Sequence, residues 1–161
     1  MVTGIVIPHE TRMALQKVEF QNLTDYQTAV GGYIETVKMD GHPLVIVADE
    51  EGKVKHLPIN RRATCLWWLL SPEGLGDNFL VGDVVILGEE RQGKMSNVPA
   101  KLTALLLETS SYEVQVCLSK KFNTWVRIGN SYANFFDAAR NALTLMEVWE
   151  PPDEVKVVAV D

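Results

Sequence analysis

The side chains able to do chemistry fall into a few short stretches. Asn60-Arg61-Arg62-Ala63-Thr64 stands where a helix is expected to begin. There the first backbone amides and the helix dipole favour an anion. Two guanidinium groups beside two neutral hydrogen-bonding side chains could hold a phosphate, which makes Asn60, Arg61, Arg62 and Thr64 candidates for ligand or anion binding. Adjacent arginines diverge on a helix, so the plainer alternative is that at least one pairs with a carboxylate such as Glu50 or Glu51. Lys120-Lys121-Phe122-Asn123-Thr124-Trp125-Val126-Arg127 interleaves cations with aromatics, the combination with which proteins attract and stack single-stranded nucleic acid. Lys120, Lys121, Trp125 and Arg127 are the candidates there. The alternative is a solubilising hairpin tip, with Trp125 packed on the helix that follows.

Trp67 and Trp68 are neighbours in an expected helix, where successive side chains diverge by about 100°. Both rings cannot easily be buried on one face, so one is a candidate partner-binding anchor. Asp49-Glu50-Glu51 could gather a hard cation, but a calcium loop spreads its ligands over a longer repeat; a solvated turn is expected. His9, His42 and His56 lack the helical spacing of a metal pair. No nucleophile elbow surrounds any serine, and no glycine-rich phosphate loop occurs. The expectation is a non-enzyme without metal or cofactor.

The wider sequence restricts the partners. The chain has 161 residues, 47% hydrophobic and 22% charged, with a formal charge of −6. Such a composition buries a core and presents no uniform positive field to nucleic acid or an anionic membrane, so any such binding needs a local patch. Cys65 and Cys117 lie in apolar runs without metal or redox spacing, and the N-terminal MVTGIVIPHE does not read as an export signal. These features point to the cytoplasm. The apolar runs Leu66 to Leu70 and Leu102 to Leu107 are far shorter than the roughly 20 residues of a membrane helix.

Elements must position these groups. Thr3 to Pro8 and Leu15 to Phe20 alternate as strands of a hairpin. Asn22 or Thr24 caps a short helix to Val30, stopped by Gly31-Gly32. Tyr33 to Met39 and Leu44 to Ala48 are strands about the Asp40-Gly41 turn. Asn60 caps a helix to about Leu70, with Ala63, Leu66, Trp67 and Leu70 on its apolar face. Phe79 to Leu87 is a strand interrupted at Gly82-Asp83, and the polar Glu89 to Asn97 marks a boundary. Residues 1–93 thus form an α+β domain with a mixed, β-grasp-like sheet and two short helices. Residues 94–161 add a segment ambiguous between helix and strand (Leu102 to Glu108), a hairpin (Tyr112 to Leu118, Thr124 to Ile128), a long amphipathic helix from Ser131 to Trp149 and a closing strand, packed on the first part. Asn130 or Ser131 should cap that helix; Phe135, Ala139, Leu143, Met146 and Trp149 should face the core, and Asn134, Asp137, Arg140, Asn141 and Thr144 solvent.

Over about the first ninety residues the chain resembles a family of bacteriophage and mobile-element proteins labelled domain of unknown function 3846. The resemblance rests on Val30-Gly31-Gly32-Tyr33-Ile34-Glu35, Asp49-Glu50-Glu51-Gly52-Lys53, Leu57-Pro58-Ile59-Asn60-Arg61-Arg62-Ala63-Thr64 and Gly82-Asp83-Val84-Val85-Ile86-Leu87-Gly88. Asp49 stands where the family commonly carries Asn. The resemblance implies a phage or plasmid accessory protein in the host cytoplasm and no particular activity. The expected function is therefore non-catalytic binding of a host or phage macromolecule, most simply a protein, in host takeover or counter-defence. Binding of single-stranded nucleic acid, or of a small anionic nucleotide, are the alternatives.

Overall fold

Strand β1 (Val2–Ile7) pairs antiparallel with β2 (Gln16–Phe20), placing Val2 opposite Phe20 and Val6 opposite Gln16. Helix α1 (Leu23–Val30) starts at Asn22, whose side chain accepts the Asp25 amide, and stops at Gly31, left-handed at φ 87°. Both ends follow from local chemistry: an oxygen takes an orphan amide, and a residue without Cβ accepts positive φ. A hairpin then joins β3 (Ile34–Lys38) to β4 (Leu44–Asp49), followed by α2 (Arg61–Leu70) and a short 3-10 helix at Pro72–Gly74. The sheet is completed by β5 (Val84–Arg91) and β6 (Lys94–Ser96). The remainder holds α3 (Ala100–Leu107), β7 (Tyr112–Ser119), β8 (Thr124–Tyr132), α4 (Phe135–Leu145) and β9 (Glu154–Ala159).

This computed structural model describes residues 1–148 and 150–160. The fold is α+β, with two sheets and two compact units, Met1–Thr103 and Ala104–Asp161. In place of the mixed, β-grasp-like sheet expected from element order, every ladder of the first unit is antiparallel, in the order β2-β1-β5-β4-β3 with β6 on β5. Val47 lies opposite Val85 and Leu44 opposite Gly88. The excursion through α2 therefore returns to the same end of the sheet that it left, and a chain that does so must pair antiparallel.

Phe20, Tyr26, Val30, Val45, Val47, Val85 and Leu87 form one core cluster, which puts α1 on one face of the sheet. Residues of the opposite parity, among them Ile5, Ile7, Ile46 and Ile86, are equally buried, so the strands read as unbroken apolar runs. Helix α2 buries Ala63, Thr64, Cys65, Leu66 and Leu69. Its apolar stripe thus turns toward Leu69, leaving Trp67 and Leu70 half-buried. Glu89 to Asn97 is a hairpin: β5 runs on to Arg91, turns at Gln92-Gly93 and returns as β6. Its polarity reflects exposure at the end of a ladder rather than a linker.

In the second unit β7 lies between β8 and β9, and α4 packs on these strands. The segment Leu102 to Glu108, ambiguous between helix and strand, falls in helix α3 (Ala100–Leu107). The expected hairpin, amphipathic helix and closing strand are all present. Helix α4 begins later than expected, at Phe135, because Tyr132 still pairs with Tyr112 and Asn134, not Asn130 or Ser131, caps it by accepting the Phe136 amide. Phe135, Ala139 and Leu143 are buried, Met146 is half-buried, and Asn134, Asp137, Arg140, Asn141 and Thr144 face solvent. Trp149 lies outside the described residues. Cys65 and Cys117 are both buried, and no described helix is long and apolar enough to cross a membrane.

Candidate functional site

The motif segments of the first unit converge at one end of its sheet, where β1 and β4 finish and β5 begins. Asn60 is fully buried. Its Oδ1 accepts the Ala63 amide at 3.0 Å as the α2 cap, and its Nδ2 donates to the carbonyls of Ile7 at 2.8 Å and Gly82 at 2.9 Å. One amide side chain thus ties the helix start to the end of β1 and to the turn before β5. Thr64, also buried, accepts the Leu80 amide at 2.9 Å. Arg62 reaches back over β1, donating to the carbonyls of Pro8 at 2.8 Å and Glu10 at 3.1 Å. Burial pushes its pKa down, against the opposing pull of Asp83 and Glu10. Only Arg61 of the four anion-binding candidates is exposed. The other three direct their hydrogen-bonding atoms into the fold.

The acidic turn is built differently from the solvated loop expected. Asp49 is buried, its side chain 1% exposed, and Lys55 Nζ sits 2.7 Å from its Oδ2. Its Oδ1 accepts the Glu51 amide at 2.9 Å. The arginines do not supply the countercharge; a lysine six residues on does, because the chain turns through Gly52 and brings Lys55 back. The hydrogen bond to Asp49 raises the Lys55 pKa.

Three exposed apolar side chains lie on the loops that follow this turn and lead into β5. Val54 is 78%, Ile59 52% and Phe79 41% exposed. Lys53 Nζ lies 4.7 Å from the centroid of the Phe79 ring and donates to Asn78 Oδ1. The Trp68 indole donates to the Asn78 carbonyl at 2.8 Å, and Ile59 bridges Val81. Of the two tryptophans, Trp68 is thereby placed beside Phe79; both rings are half-buried.

Sequence reasoning missed one polar pair. Asp83 Oδ1 accepts the His9 amide at 2.9 Å and lies 2.8 Å from His9 Nδ1. The signal available was the Gly82-Asp83 step, whose carboxylate had no assigned partner.

In the second unit the basic and aromatic candidates are brought to one sheet but are engaged there. Lys120 Nζ lies 3.2 Å from Glu154, and Arg127 Nε 3.2 Å from Glu113. Lys156 Nζ stands 4.0 Å over the Trp125 ring, whose indole donates to Asn123. Trp125 does not pack on α4. It pairs with Cys117, while α4 approaches the other face through the Tyr112 and Phe135 rings, 5.7 Å apart. Lys121 is exposed and lies over Phe122. No group of acidic, histidine or cysteine side chains able to hold a metal occurs among the described residues.

A protein-family model described as Domain of unknown function (DUF3846) matches residues 2–110. The match extends beyond the first ninety residues and takes in all of the first unit except Met1. No curated protein and no solved structure matches the chain.

Proposed function

Because the chain belongs to the DUF3846 family, whose description names no activity, we propose that it is a non-catalytic accessory protein of a phage or mobile element. In this reading it binds a host or phage protein in the host cytoplasm. The observation that carries the proposal is the division of labour at the motif end of the first unit. The polar motif groups Asn60, Thr64, Asp49 and Lys55 are spent on holding loops together. Among the groups offered outward are the apolar Val54, Ile59 and Phe79, beside the charged Glu50, Glu51, Lys53 and Arg61. Large side chains exposed close together are the usual material of a protein contact, where they bury apolar area on docking.

The second unit supports this choice of partner over single-stranded nucleic acid, since Lys120 and Arg127 are neutralised by Glu154 and Glu113 and the Trp125 face is covered. The setting in a phage or mobile element rests on the resemblance.

The test is capture from host lysate by the immobilised full chain, repeated with a Val54→Asp/Phe79→Ser variant of unchanged melting temperature. One protein retained in stoichiometric amount by the wild type and lost by the variant is the expected result. Turnover of a nucleotide or nucleic acid by the purified chain, abolished by alanine at a defined acidic or basic residue, would overturn the reading.

A further inference from the structure

The turn between β3 and β4 sets Asp40 directly before Gly41, and of the Asp and Asn residues in the chain Asp40 alone is followed by glycine. Both residues are exposed, and Gly41 is left-handed at φ 80°. A Cβ at Gly41 would meet nothing within 4 Å, so the backbone there stands in open space. One hydrogen bond closes the turn, from the His42 amide to the Met39 carbonyl at 3.1 Å. The carboxylates of Asp25, Asp49, Asp83, Asp137 and Asp153 each accept a hydrogen bond within the fold. Among the described residues, none holds the carboxylate of Asp40 in this way.

We infer that Asp40 is a site of spontaneous covalent modification, at which the native chain isomerises to isoaspartate. The Gly41 amide nitrogen attacks Cγ of the protonated Asp40 carboxyl, loses its proton and expels water, closing a five-membered succinimide. Water then adds to one of the two ring carbonyls. Opening at the former backbone carbonyl leaves that carbon as a free carboxylate and carries the chain through Cβ and Cγ; opening at the other returns aspartate. The water lost is regained, so the step needs no oxidant and no further reactant. Ring closure demands an unhindered amide and rotation about the Asp40 Cα–C bond. Glycine supplies the first, and an exposed turn closed by one hydrogen bond supplies the second, because such turns open at little cost in free energy. Asn130, Asp137 and Asn141 also precede a small residue, Ser or Ala, but they lie in β8 and α4, where a ladder or a helix must open first. The turn stands before β4 and Asp49 at the far end of that strand, so the modification is independent of the protein-binding reading.

The experiment ages the full folded chain at neutral pH, then labels it with an isoaspartate-specific carboxyl methyltransferase and radioactive S-adenosylmethionine, which esterify the newly freed carboxylate. Trypsin cuts after Lys38 and Lys53, so Asp40 is recovered in the peptide of residues 39–53. The expected result is label that accumulates with time in this peptide, which splits chromatographically into two forms of equal mass. Label at Asn130, Asp137 and Asn141 should be lower by about tenfold or more, and should approach that at Asp40 only when the chain is aged in urea. Asp40→Glu keeps the charge but requires a six-membered ring, so label in the peptide should be lost. Asp40→Asn should form isoaspartate faster, with ammonia leaving in place of water. The position is exposed, and both variants should keep the wild-type melting temperature. A folded chain that gains no label in this peptide, label that persists in Asp40→Glu, or label spread evenly over the four positions would each overturn the inference.

Discussion

Lys55 Nζ lies 2.7 Å from Asp49 Oδ2, and the pair fills the space against Gly32 so closely that a Cβ there would stand 2.6 Å from the ammonium and 2.8 Å from the carboxylate oxygen. The glycine of one motif segment, the aspartate of the next and a lysine six residues further on thus form one unit. Gly32→Ala should destabilise the first unit by about 1–3 kcal/mol, the usual penalty for forcing atoms into a filled site, since Lys55 can move aside only by leaving a buried carboxylate. Denaturant unfolding measures the loss. A Gly32→Ala protein as stable as wild type would mean that the three groups do not constrain one another.

Asn60 should prove more costly to alter than any charged candidate in the same motif. Asn60→Ala removes the α2 cap and leaves the Ile7 and Gly82 carbonyls without their donor. The expected destabilisation is on the order of 3 kcal/mol. Asn60→Asp retains the cap but sets a carboxylate against two carbonyls, and should be at least as harmful. Arg61→Ala, at an exposed position, should stay within about 0.5 kcal/mol.

Helix α4 gives a paired comparison in the second unit. Leu143 is buried among the strands it covers, and Leu143→Ala should cost on the order of 2–5 kcal/mol through lost burial and a residual cavity. Asn141 is exposed, and Asn141→Ala should change stability by no more than about 0.5 kcal/mol. Urea unfolding of both variants decides the matter, and equal effects would contradict the buried face.

Alkaline pH should unfold the protein in a definite direction. The Lys55 pKa is raised by its hydrogen bond to Asp49, and those of Tyr26 and Tyr112 by burial. Each group holds its proton longer in the folded state, so its contribution is fully present below the ordinary value of about 10 and is lost as pH rises through the folded value. The melting temperature should fall as pH is raised beyond about 10. Tyr26→Phe and Tyr112→Phe should each make the fall shallower, and a melting temperature that climbs in this range would contradict the assignment.

What the sequence made legible was local. Asn22 with Gly31, and Asn60 before an apolar stripe, mark helix ends through single side chains acting within a turn of themselves, and both stand where expected. The α4 start was harder because Asn130, Ser131 and Asn134 all offer a capping oxygen, and only the pairing of Tyr132 with Tyr112 selects among them. Polarity misplaced the boundary at Glu89 to Asn97, since an exposed hairpin and a linker have the same composition. Long-range relations were not legible at all. His9 and Asp83 meet across 74 residues, and Asp49 finds Lys55 only because the turn through Gly52 brings the chain back. The exposure of Val54, Ile59 and Phe79 was hidden for the same reason, as they lie on two loops joined by long-range contacts, among them the bridge of Ile59 with Val81, the Asn60 amide on the Leu80 carbonyl and Lys53 on Asn78.

The most direct test of the account is hydrogen exchange of the full chain alone and with the protein it captures. The docking reading predicts slower exchange at residues 53–61 and 77–81 on binding, with residues 119–127 unchanged. Protection confined to 119–127, or none in the first unit, would contradict it.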